Sequence, residues 1–332
     1  MIILGIETSC DETSAAVVKN GRTVLSNVIA SQVDVHAKFG GVVPEIAARK
    51  HIESIDYIVT EALQNAGLSL QKIDGFAVAN GPGLAGALLV GLNYAKGLAY
   101  AHKKPLIGVH HIEAHVCANY LDETDLEPPF LALVVSGGHT SILAVKDYDT
   151  YEVLGSTRDD AAGEAFDKTA RVLKLGYPGG PKIDKLAAAG NPLAVNFPKA
   201  KVEGFNFSFS GLKTAVMQFM AKNENVPVED IAASFQKAVV DVLVERTIAA
   251  SVQHGYKKIA LAGGVACNKG LREGLKIACD LVPVGEKNIE LHIPKPIYCT
   301  DNAAMIACRG FYSLQAGKVD GLELNAFPGR MV

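Results

Sequence analysis

The chain has 332 residues, 49% of them hydrophobic and 20% charged, with a formal charge of −3 at pH 7. This length predicts two lobes with separate cores, and the charge argues against a generally nucleic-acid-coating surface, though not against a local basic patch. Six cysteines without a C-x-x-C pair indicate reduced thiols. The opening MIILGIETSCDE lacks a basic n-region, and the apolar stretch 84–95 is too short to span a membrane. We therefore expect a cytoplasmic protein without membrane contact.

The first predicted elements are two apolar runs joined by a polar turn. IILGI and AAVVKNG flank ETSCDETS, which predicts a β-hairpin. LALVVSGGHTSILAV (131–145) repeats this design, and KIALAGGVACNKGLREGL (258–275) predicts a strand, a Gly-Gly turn and a helix. Two hairpins of one design predict a duplicated architecture, with one hairpin heading each lobe.

Helical periodicity alternates with short strands through the rest of the chain, which predicts an α/β fold. A strand is predicted over 73–80, and helices are predicted over 52–67, 84–99, 230–255 and 301–317. Asp301 is expected near the N-terminus of the last helix, where a carboxylate suits the helix dipole. The EPP at 127–129 marks the predicted boundary between the lobes.

Small polar turns are the first candidates for chemistry. The turns SGG (136–138) and GG (263–264) expose consecutive backbone N–H groups, which can form a concavity that an anion approaches closely. Each turn alone is compatible with a plain hairpin, but several in a duplicated α/β chain favour a nucleotide in a cleft between lobes. GPGLAG (81–86) matches G-x-G-x-x-G, yet no acid follows about 20 residues later. No P-loop motif is present, so both familiar nucleotide motifs are disfavoured.

The stretch VHHIEAHVCANY nearly spells H-E-x-x-H, the zinc signature of metalloproteases. His111 and His115 share one helix face, within reach of one ion. Ile112 occupies the position of the protease general base, and Glu113 lies about 200° round the helix and points away from such an ion. The spacing therefore disfavours a protease and leaves a metal site and an ordinary histidine pair as alternatives. A metal would need a carboxylate from elsewhere, for which Asp301 is a candidate.

A third cluster lies within DDAAGEAFDKTARVLKLGYPGGPKIDKLA. Glu164 and Asp167 are three residues apart on a predicted helix, and Asp184 enters the next helix just after Pro181, which predicts a first-turn position. Acids that project into a nucleotide cleft commonly accept hydrogen bonds from ribose hydroxyls or adenine. A solvated helix face with a helix-start acid is the alternative.

Eight stretches carry a further signal when they are taken together. They are ETSCDET near the start, HHIEAH (110–115), VVSGGHT (134–140), GEAFDK (163–168), YPGGP (177–181), FSFSGLKT (207–214), AGGVACN (262–268) and CTDNAAMIA (299–307). In combination they resemble the signatures of the TsaD/Kae/Gcp family, the tRNA adenosine threonylcarbamoyltransferases, in its bacterial form. The resemblance extends over essentially the whole chain in the right order, and no departure falls at a functional position.

The resemblance implies an α/β, actin-like ATPase (ASKHA) fold with two ribonuclease-H-like lobes and a central cleft. The expected domains are an N-terminal lobe at 1–128, a second lobe at 129–301 and a C-terminal segment at 302–332 that packs back on the first lobe. It also implies one metal ion, iron or alternatively zinc, bound by His111, His115 and Asp301.

The resemblance further implies transfer of a threonylcarbamoyl group from threonylcarbamoyl-AMP to the N6 amine of the adenosine beside the anticodon in ANN-reading tRNAs. The mixed anhydride has a good leaving group, so positioning and carbonyl activation carry the chemistry, and no catalytic residue is assigned. The implied nucleotide or substrate contacts are Val134, Val135, Ser136, Gly137, Gly138, Asp167, Gly180, Asp184 and Asn268.

The implied partners are tRNA, a paralogous TsaB-like subunit, a TsaE-like ATPase and a TsaC-type synthase that makes the adenylate. The small-residue helix at 84–99 is either core or a surface for a partner helix. Three rival functions follow from the same features: a small-molecule kinase or ATPase of the same fold, a metallopeptidase, and a non-enzymatic scaffold. A scaffold would be expected to lose the metal ligands, and a kinase has no use for a His-x-x-x-His helix.

Overall fold

The computed structural model describes residues 1–122, 124–223 and 225–329. The chain divides into two compact units. The first unit comprises residues 1–128, 147–151 and 294–332, and the second comprises residues 129–146 and 152–293. Within the described ranges, no helix has both the length and the apolar character that crossing a membrane requires.

The first unit is built on a five-stranded sheet whose strand order is β3-β2-β1-β4-β5. Strands β1 to β3 form antiparallel pairs, whereas β4 runs parallel to both β1 and β5. Its strands are β1 (Ile2–Glu7), β2 (Glu12–Lys19), β3 (Thr23–Ser31), β4 (Gly75–Gly81) and β5 (Leu106–His110). Its helices are α1 (Val33–Ala37), α2 (Pro44–Asn65), α3 (Ala85–His102), α4 (His111–Cys117), α10 (Pro296–Cys299) and α11 (Ala303–Gln315).

The second unit repeats this sheet. Its strand order is β12-β9-β6-β7-β8, with β6 antiparallel to β7 and parallel to β9, and β9 parallel to β12. These strands are β6 (Phe130–Val135), β7 (Thr140–Asp147), β8 (Thr150–Ser156), β9 (Lys258–Ala262) and β12 (Glu290–His292). The order read from β8 matches that of the first sheet read from β3, so the predicted duplication is confirmed.

The helices of the second unit follow its hairpin and its β9 strand. They are α5 (Ala162–Val172), α6 (Gly179–Ala187), α7 (Ser210–Lys222), α8 (Val228–His254) and α9 (Lys269–Leu281), and a short hairpin consists of β10 (Pro283–Val284) and β11 (Lys287–Asn288). The predicted helix 230–255 is confirmed as α8, which ends where Gly255 takes a left-handed conformation.

Helix α2 begins eight residues before the predicted start at 52. Pro44 occupies its first turn, where the missing N–H costs nothing and the fixed φ favours the helix. The first turns read PEIAARKH, in which few apolar residues mark a face. Buried Ala47 and His51 nevertheless face the core of the first unit. The sheet of this unit is also covered by α11, which packs against β1, β2 and β4.

Candidate metal centre and nucleotide-binding turns

The predicted metal ligands are brought together within the first unit. Strand β5 ends at His110 and α4 begins at His111. Both histidines of α4 therefore lie just beyond the end of this strand. The Nε2 atoms of His111 and His115 lie 3.5 and 3.2 Å from Asp301 Oδ1. One ligand atom from each of the three side chains lies within 4.8 Å of the others, so the group can hold a metal ion.

Asp301 reaches this group because it precedes α11 and does not cap it. The N-cap is Asn302, whose side chain accepts a hydrogen bond of 3.1 Å from the Met305 amide. Asp301 is therefore not needed to satisfy the first turn of the helix, and its carboxylate is directed at the histidines.

The His115 side chain gives the test of whether these residues fit a metal. It is fully buried, yet neither of its ring nitrogens has a hydrogen-bond partner among the described residues. The 3.2 Å approach of Nε2 to Asp301 is an electrostatic contact without hydrogen-bond geometry. A buried imidazole without such partners is costly, and an ion bound at Nε2 would remove that cost. Ligands at about 2.1 Å from a tetrahedral ion stand about 3.4 Å apart, which matches both separations.

Two residues of the first hairpin orient His111. Its Nδ1 lies 3.0 Å from Glu7 Oε2 and 3.2 Å from Ser9 Oγ. Because a carboxylate only accepts, the proton belongs on Nδ1, and Nε2 is left to bind an ion. The second oxygen of Glu7 accepts a 2.5 Å hydrogen bond from the Ser9 amide, and this bond fixes the carboxylate relative to the turn.

The pKa values in this group describe its metal-free charge state. Burial lowers the pKa of His111, but the charges of Asp301 and Glu7 outweigh it and raise that pKa well above the ordinary value. Burial alone would raise the pKa of Asp301, but His111 and His115 hold it well below its usual range. The pKa of His115 is lowered, chiefly by burial. A bound cation would therefore take the place of a proton on His111.

Glu113 takes no part in this group. Its Oε2 accepts a 2.8 Å hydrogen bond from Nε of Arg309, which is buried. Arg309 also donates to Asp149 at 2.6 Å and to Ser313 at 2.7 Å. The acid between the two histidines is thus committed to an ion pair on the other side of α4, as the helix phase predicts, and it is not placed as a protease base.

Glu12, at the start of β2, is an acid that the sequence did not single out. Burial, followed by the charges of Asp301 and Asp11, raises the pKa of Glu12 to about 9 in the metal-free protein. Ser31 Oγ donates to it at 3.1 Å. The ETSCDET stretch contains Glu7, Ser9 and Glu12. Its cluster of small hydroxyl and acidic residues was the only feature of the sequence that could have indicated their roles.

In the second unit, the Ser-Gly-Gly turn lies at the end of β6. Ser136 closes the turn by donating its amide to the His139 carbonyl at 2.8 Å and by accepting the His139 amide on Oγ at 3.1 Å. Gly137 and Gly138 are exposed, with φ outside the left-handed region and no atom within 4 Å of where a Cβ would stand. Neither the backbone nor the packing of this chain requires glycine there.

The neighbouring glycine of α5 has the opposite surroundings. A Cβ on Gly163 would lie 2.5 Å from the Ser136 carbonyl oxygen and 2.8 Å from Gly137 Cα. The Gly163 amide donates to that carbonyl at 3.2 Å, so α5 begins against the turn. Val134 and Val135 are fully buried strand residues, and only their backbone can face a ligand.

The predicted acids lie on the helices that follow. Asp167, on α5, accepts the Gly179 amide on Oδ1 at 2.7 Å and so holds the first turn of α6. Glu164 pairs with Lys168 at 2.9 Å on the solvated face of α5. Gly180 has no atom within 4 Å of a Cβ position, as at Gly137.

The first-turn position predicted for Asp184 is wrong. Helix α6 begins at Gly179, with Pro178 as N-cap, because the Gly-Gly-Pro that resembled a turn forms the first turn of the helix. Asp184 is the sixth residue of α6, and its carboxylate accepts the Lys269 amide at 3.2 and 3.4 Å. It therefore supports the start of α9.

Asn268 is the N-cap of α9. Its Oδ1 accepts the Leu271 amide at 2.9 Å, and its Nδ2 donates to Gln236 at 2.7 Å. The cap explains an asparagine here independently of any ligand. Gly263, one turn earlier, has a φ of +89°, and its Cβ would lie 2.4 Å from the Val135 carbonyl oxygen.

GPGLAG in the first unit packs against its own chain. A Cβ on Gly81 would lie 2.1 Å from the Phe327 carbonyl oxygen, and one on Gly83 would lie 2.6 Å from the Ser9 carbonyl oxygen. These glycines leave room for protein backbone where a dinucleotide motif leaves room for pyrophosphate, which agrees with the sequence argument against such a site.

Several solved structures share this fold. The chain is similar to T. kodakarensis HypF, with a TM-score of 0.67 and 15% identity over 95% of this chain and 48% of that one. It is also similar to component A of the Acidaminococcus fermentans (R)-2-hydroxyglutaryl-CoA dehydratase, with a TM-score of 0.58 and 14% identity over 96% and 100%. The chain therefore has the actin-like (ASKHA) fold that the resemblance implied, and this fold here carries a His–His–Asp group whose two histidines are buried.

Sequence comparison gives the family. The model of the family "TsaD: tRNA N6-adenosine threonylcarbamoyltransferase" matches residues 23–308. A protein of that name from Clostridium perfringens is 58% identical over 334 residues, covering 98% of this chain and 97% of the relative. Another, from Caldicellulosiruptor saccharolyticus, is 55% identical over 332 residues, covering 99% and 97%. The chain belongs to the tRNA N6-adenosine threonylcarbamoyltransferase family, and its relatives favour this activity over a kinase or a peptidase.

Proposed function

We propose that the chain transfers a threonylcarbamoyl group from threonylcarbamoyl-AMP to the N6 amine of the adenosine 3′ of the anticodon in ANN-reading tRNAs, releasing AMP. The observation that carries this proposal is the 58% identity to a named transferase over nearly the whole of both chains. The His–His–Asp group, with its two buried histidines, supports it further, because a kinase of this fold has no evident use for such a group.

The ion proposed for this group is iron, with zinc as the alternative, since imidazole and carboxylate ligands suit both. His111, His115 and Asp301 would bind it, and Glu7 would fix the His111 tautomer. When bound, such an ion supplies Lewis-acid polarisation of an acyl carbonyl.

The turns of the second unit are the proposed site for the adenylate. The exposed backbone of Gly137 and Gly138 offers N–H donors to a phosphate oxygen without a side chain in the way. Gly180 leaves similar open space at the first turn of α6, where helical N–H groups favour an anion. Asp167 and Asp184 are proposed to orient the adenosine half, in addition to the helix-holding contacts described above.

The AMP leaving group makes a protein nucleophile unnecessary. The adenine amine is a weak nucleophile, so the principal work of the protein is to hold the amine and the acyl carbon together. Exclusion of water around the His–His–Asp group protects the anhydride from hydrolysis. His111 and His115 are 5% and 0% exposed, which fits this requirement.

The proposed partners are tRNA, a TsaB-like paralogous subunit, a TsaE-like ATPase and a TsaC-type synthase that supplies the adenylate, all in the cytoplasm. Helix α3 is the proposed surface for the paralogous partner, because one of its faces is exposed and carries two glycines. This face contains Gly86, Leu89, Asn93, Gly97 and Tyr100. Small residues allow a helix of a partner to approach closely.

The test combines the purified protein and its companions with threonylcarbamoyl-AMP and unmodified ANN-reading tRNA. Nucleoside mass spectrometry scores the product for the wild type, for His111→Ala and for the control His254→Ala, which changes an exposed histidine at the end of α8. We expect product from the wild type and the control, and at least a 100-fold loss with His111→Ala. A wild type that carries metal and all partners but forms no modified adenosine would defeat the proposal, and ATP-dependent phosphorylation of small molecules would then be tested.

A further inference from the structure

A continuous chain of hydrogen bonds runs through the interior of the first unit and involves two buried histidines. His36 and His51 are both fully buried, and Gln32 is 6% exposed. The Val43 amide donates to His36 Nδ1 at 3.2 Å, and His36 Nε2 lies 3.2 Å from Gln32 Oε1. Gln32 Nε2 then lies 3.4 Å from His51 Nδ1, and His51 Nε2 lies 3.0 Å from the Cys10 carbonyl oxygen.

The partners at its two ends fix the direction of every bond in this chain. The Cys10 carbonyl can only accept, so the proton of His51 is on Nε2. Nδ1 of the neutral ring then accepts from Thr13 Oγ1 at 2.8 Å as well as from Gln32. The backbone amide of Val43 can only donate, so His36 likewise carries its proton on Nε2 and gives it to Gln32 Oε1. Burial is the largest influence on His51 and lowers its pKa, which keeps the ring neutral.

The hydrogen-bond chain ends at the Cys10 carbonyl, in the turn that orients the metal group. The three successive carbonyls of this turn each have a partner outside it. Ser9 accepts the Leu84 amide at 2.8 Å, and Asp11 accepts the Gln32 amide at 2.9 Å. Cys10, between them, is held by His51, so one side chain from α2 fixes the middle of the turn. The residue before Cys10 is Ser9, whose hydroxyl lies 3.2 Å from His111 Nδ1.

We propose that His51 is a positioning residue for the His111–His115–Asp301 group, acting through the Cys10 carbonyl on the turn that carries Ser9 and Glu7. It touches neither ion nor substrate. Its ring donates to the Cys10 carbonyl in one fixed tautomer and so keeps Glu7 and Ser9 at hydrogen-bond distance from His111. Outer partners of metal ligands change metal affinity by about 10- to 100-fold when they are removed. The inference rests on the metal group proposed above and adds a residue 60 positions away in sequence from His111.

The first measurement is made on metal-free protein and does not depend on catalysis. Histidine labelled with ¹⁵N reports by NMR which ring nitrogen of each residue carries the proton. We expect His51 to be neutral with its proton on Nε2, and Thr13→Val to weaken this preference by removing a donor to Nδ1. A His51 signal with the proton on Nδ1, or a doubly protonated ring at pH 7, would overturn the assignment.

The second measurement compares two substitutions that differ in reach. His51→Gln places an amide N–H where Nε2 stands, whereas the shorter His51→Asn does not reach the Cys10 carbonyl. Titration with Co²⁺, followed by its visible d–d absorption, gives affinity and coordination together. We expect His51→Asn to weaken binding at least 10-fold and to alter the spectrum, and His51→Gln to stay within about threefold of wild type.

The controls separate positioning from folding and from function. Thermal unfolding is followed for both variants, and Co²⁺ affinity is compared only between folded samples. Wild-type affinity and spectrum in His51→Asn, with a lowered unfolding temperature alone, would show a purely structural role. If His51→Asn fails to fold, Thr13→Val is used once NMR shows that its His51 proton has left Nε2, and unchanged Co²⁺ affinity in that sample would defeat the proposal. Wild-type protein that binds Co²⁺ but makes no modified tRNA would refute the proposed function and leave this inference standing.

Discussion

The His–His–Asp group of the first unit and the Ser-Gly-Gly turn of the second prepare for a ligand by opposite means. Around His111, the Glu7 carboxylate and the Ser9 hydroxyl both contact Nδ1, and Glu7 in turn accepts the Ser9 amide. Around Gly137, the space where a side chain would stand is open. A site that binds through side chains needs a second layer to orient them, whereas a site that binds through backbone needs side chains to be absent.

The greatest loss should follow removal of the carboxylate of the His–His–Asp group. Asp301→Ala deletes the carboxylate between the two histidines, which lie 3.5 and 3.2 Å from it. We expect metal content to fall to background and modification of tRNA to fall at least about 100-fold, because two imidazoles leave the coordination incomplete. Metal analysis and nucleoside mass spectrometry measure both. Asp280→Asn, on the exposed face of α9, is the matched control, and equal metal content in Asp301→Ala would contradict the assignment.

The second test contrasts two glycines of the second unit. Gly163→Ala places a Cβ 2.5 Å from the Ser136 carbonyl oxygen, so the turn must shift, and we expect a loss of about 1–3 kcal/mol in the free energy of unfolding. Gly137→Ala meets no atom within 4 Å, and we expect stability to stay within about 0.5 kcal/mol of wild type. Urea denaturation measures both variants.

The Gly137 variant also tests whether the backbone of this turn binds the donor. If the Gly137 backbone approaches a phosphate, its alanine variant is stable but binds AMP or the adenylate about 10-fold more weakly, as isothermal titration calorimetry would show. Unchanged AMP affinity in Gly137→Ala would remove the ligand-based reason for glycine and leave an ordinary hairpin.

The last prediction, with the smallest change, concerns the Asp159 carboxylate, which accepts several hydrogen bonds from its own chain. The Asp159 carboxylate accepts from the Phe209 amide at 2.8 Å and from the hydroxyls of Ser208 and Ser210 at 2.5 and 2.8 Å. Burial opposes the charge, but these hydrogen bonds dominate and lower the pKa of Asp159. Its stabilising contribution is therefore present above the ordinary aspartate pKa of about 3.9 and is lost as the pH falls through the lowered value.

Asp159→Asn should consequently be less stable than wild type at pH 7, by a small margin because the side chain is largely exposed, and the difference should close toward pH 3. Urea midpoints at both values measure it, with the exposed Glu286→Gln as control. A difference that grows on acidification would reverse the sign of the argument.

The sequence predicted those features that depend on local pattern. The two hairpins, α8 and the shared face of His111 and His115 follow from periods of 2 and 3.6 residues. Asp301 was a candidate third ligand from the sequence, but only the family resemblance assigned it, because no local rule joins residues so far apart. Glu7 and His51 were missed for the same reason, since their roles are contacts with sequence separations of 104 and 41 residues.

The starts of two helices, α2 and α6, were predicted too late for local physical reasons. Pro44 and Gly179 are both residues that usually mark loops, yet each lies in the first turn of a helix. Proline suits that position, and Gly179 is stabilised by the Asp167 carboxylate from the preceding helix. A proline or glycine in the first turn of a helix therefore cannot be told from one in a loop by sequence alone. For Gly179, the distinction comes from the carboxylate that accepts its N–H.

The interrupted course of the chain has a consequence for synthesis. Residues 152–293 form a continuous stretch of the second unit, whereas the first unit is completed only by residues 294–332. A ribosome adds residues from the N-terminus, and domains generally fold as units when they emerge. Asp301 is thus made 186 residues after His115, when nine-tenths of the chain already exists. The nascent chain passes most of its synthesis with two histidines and no third ligand, so the proposed metal group can be complete only after Asp301 has been added.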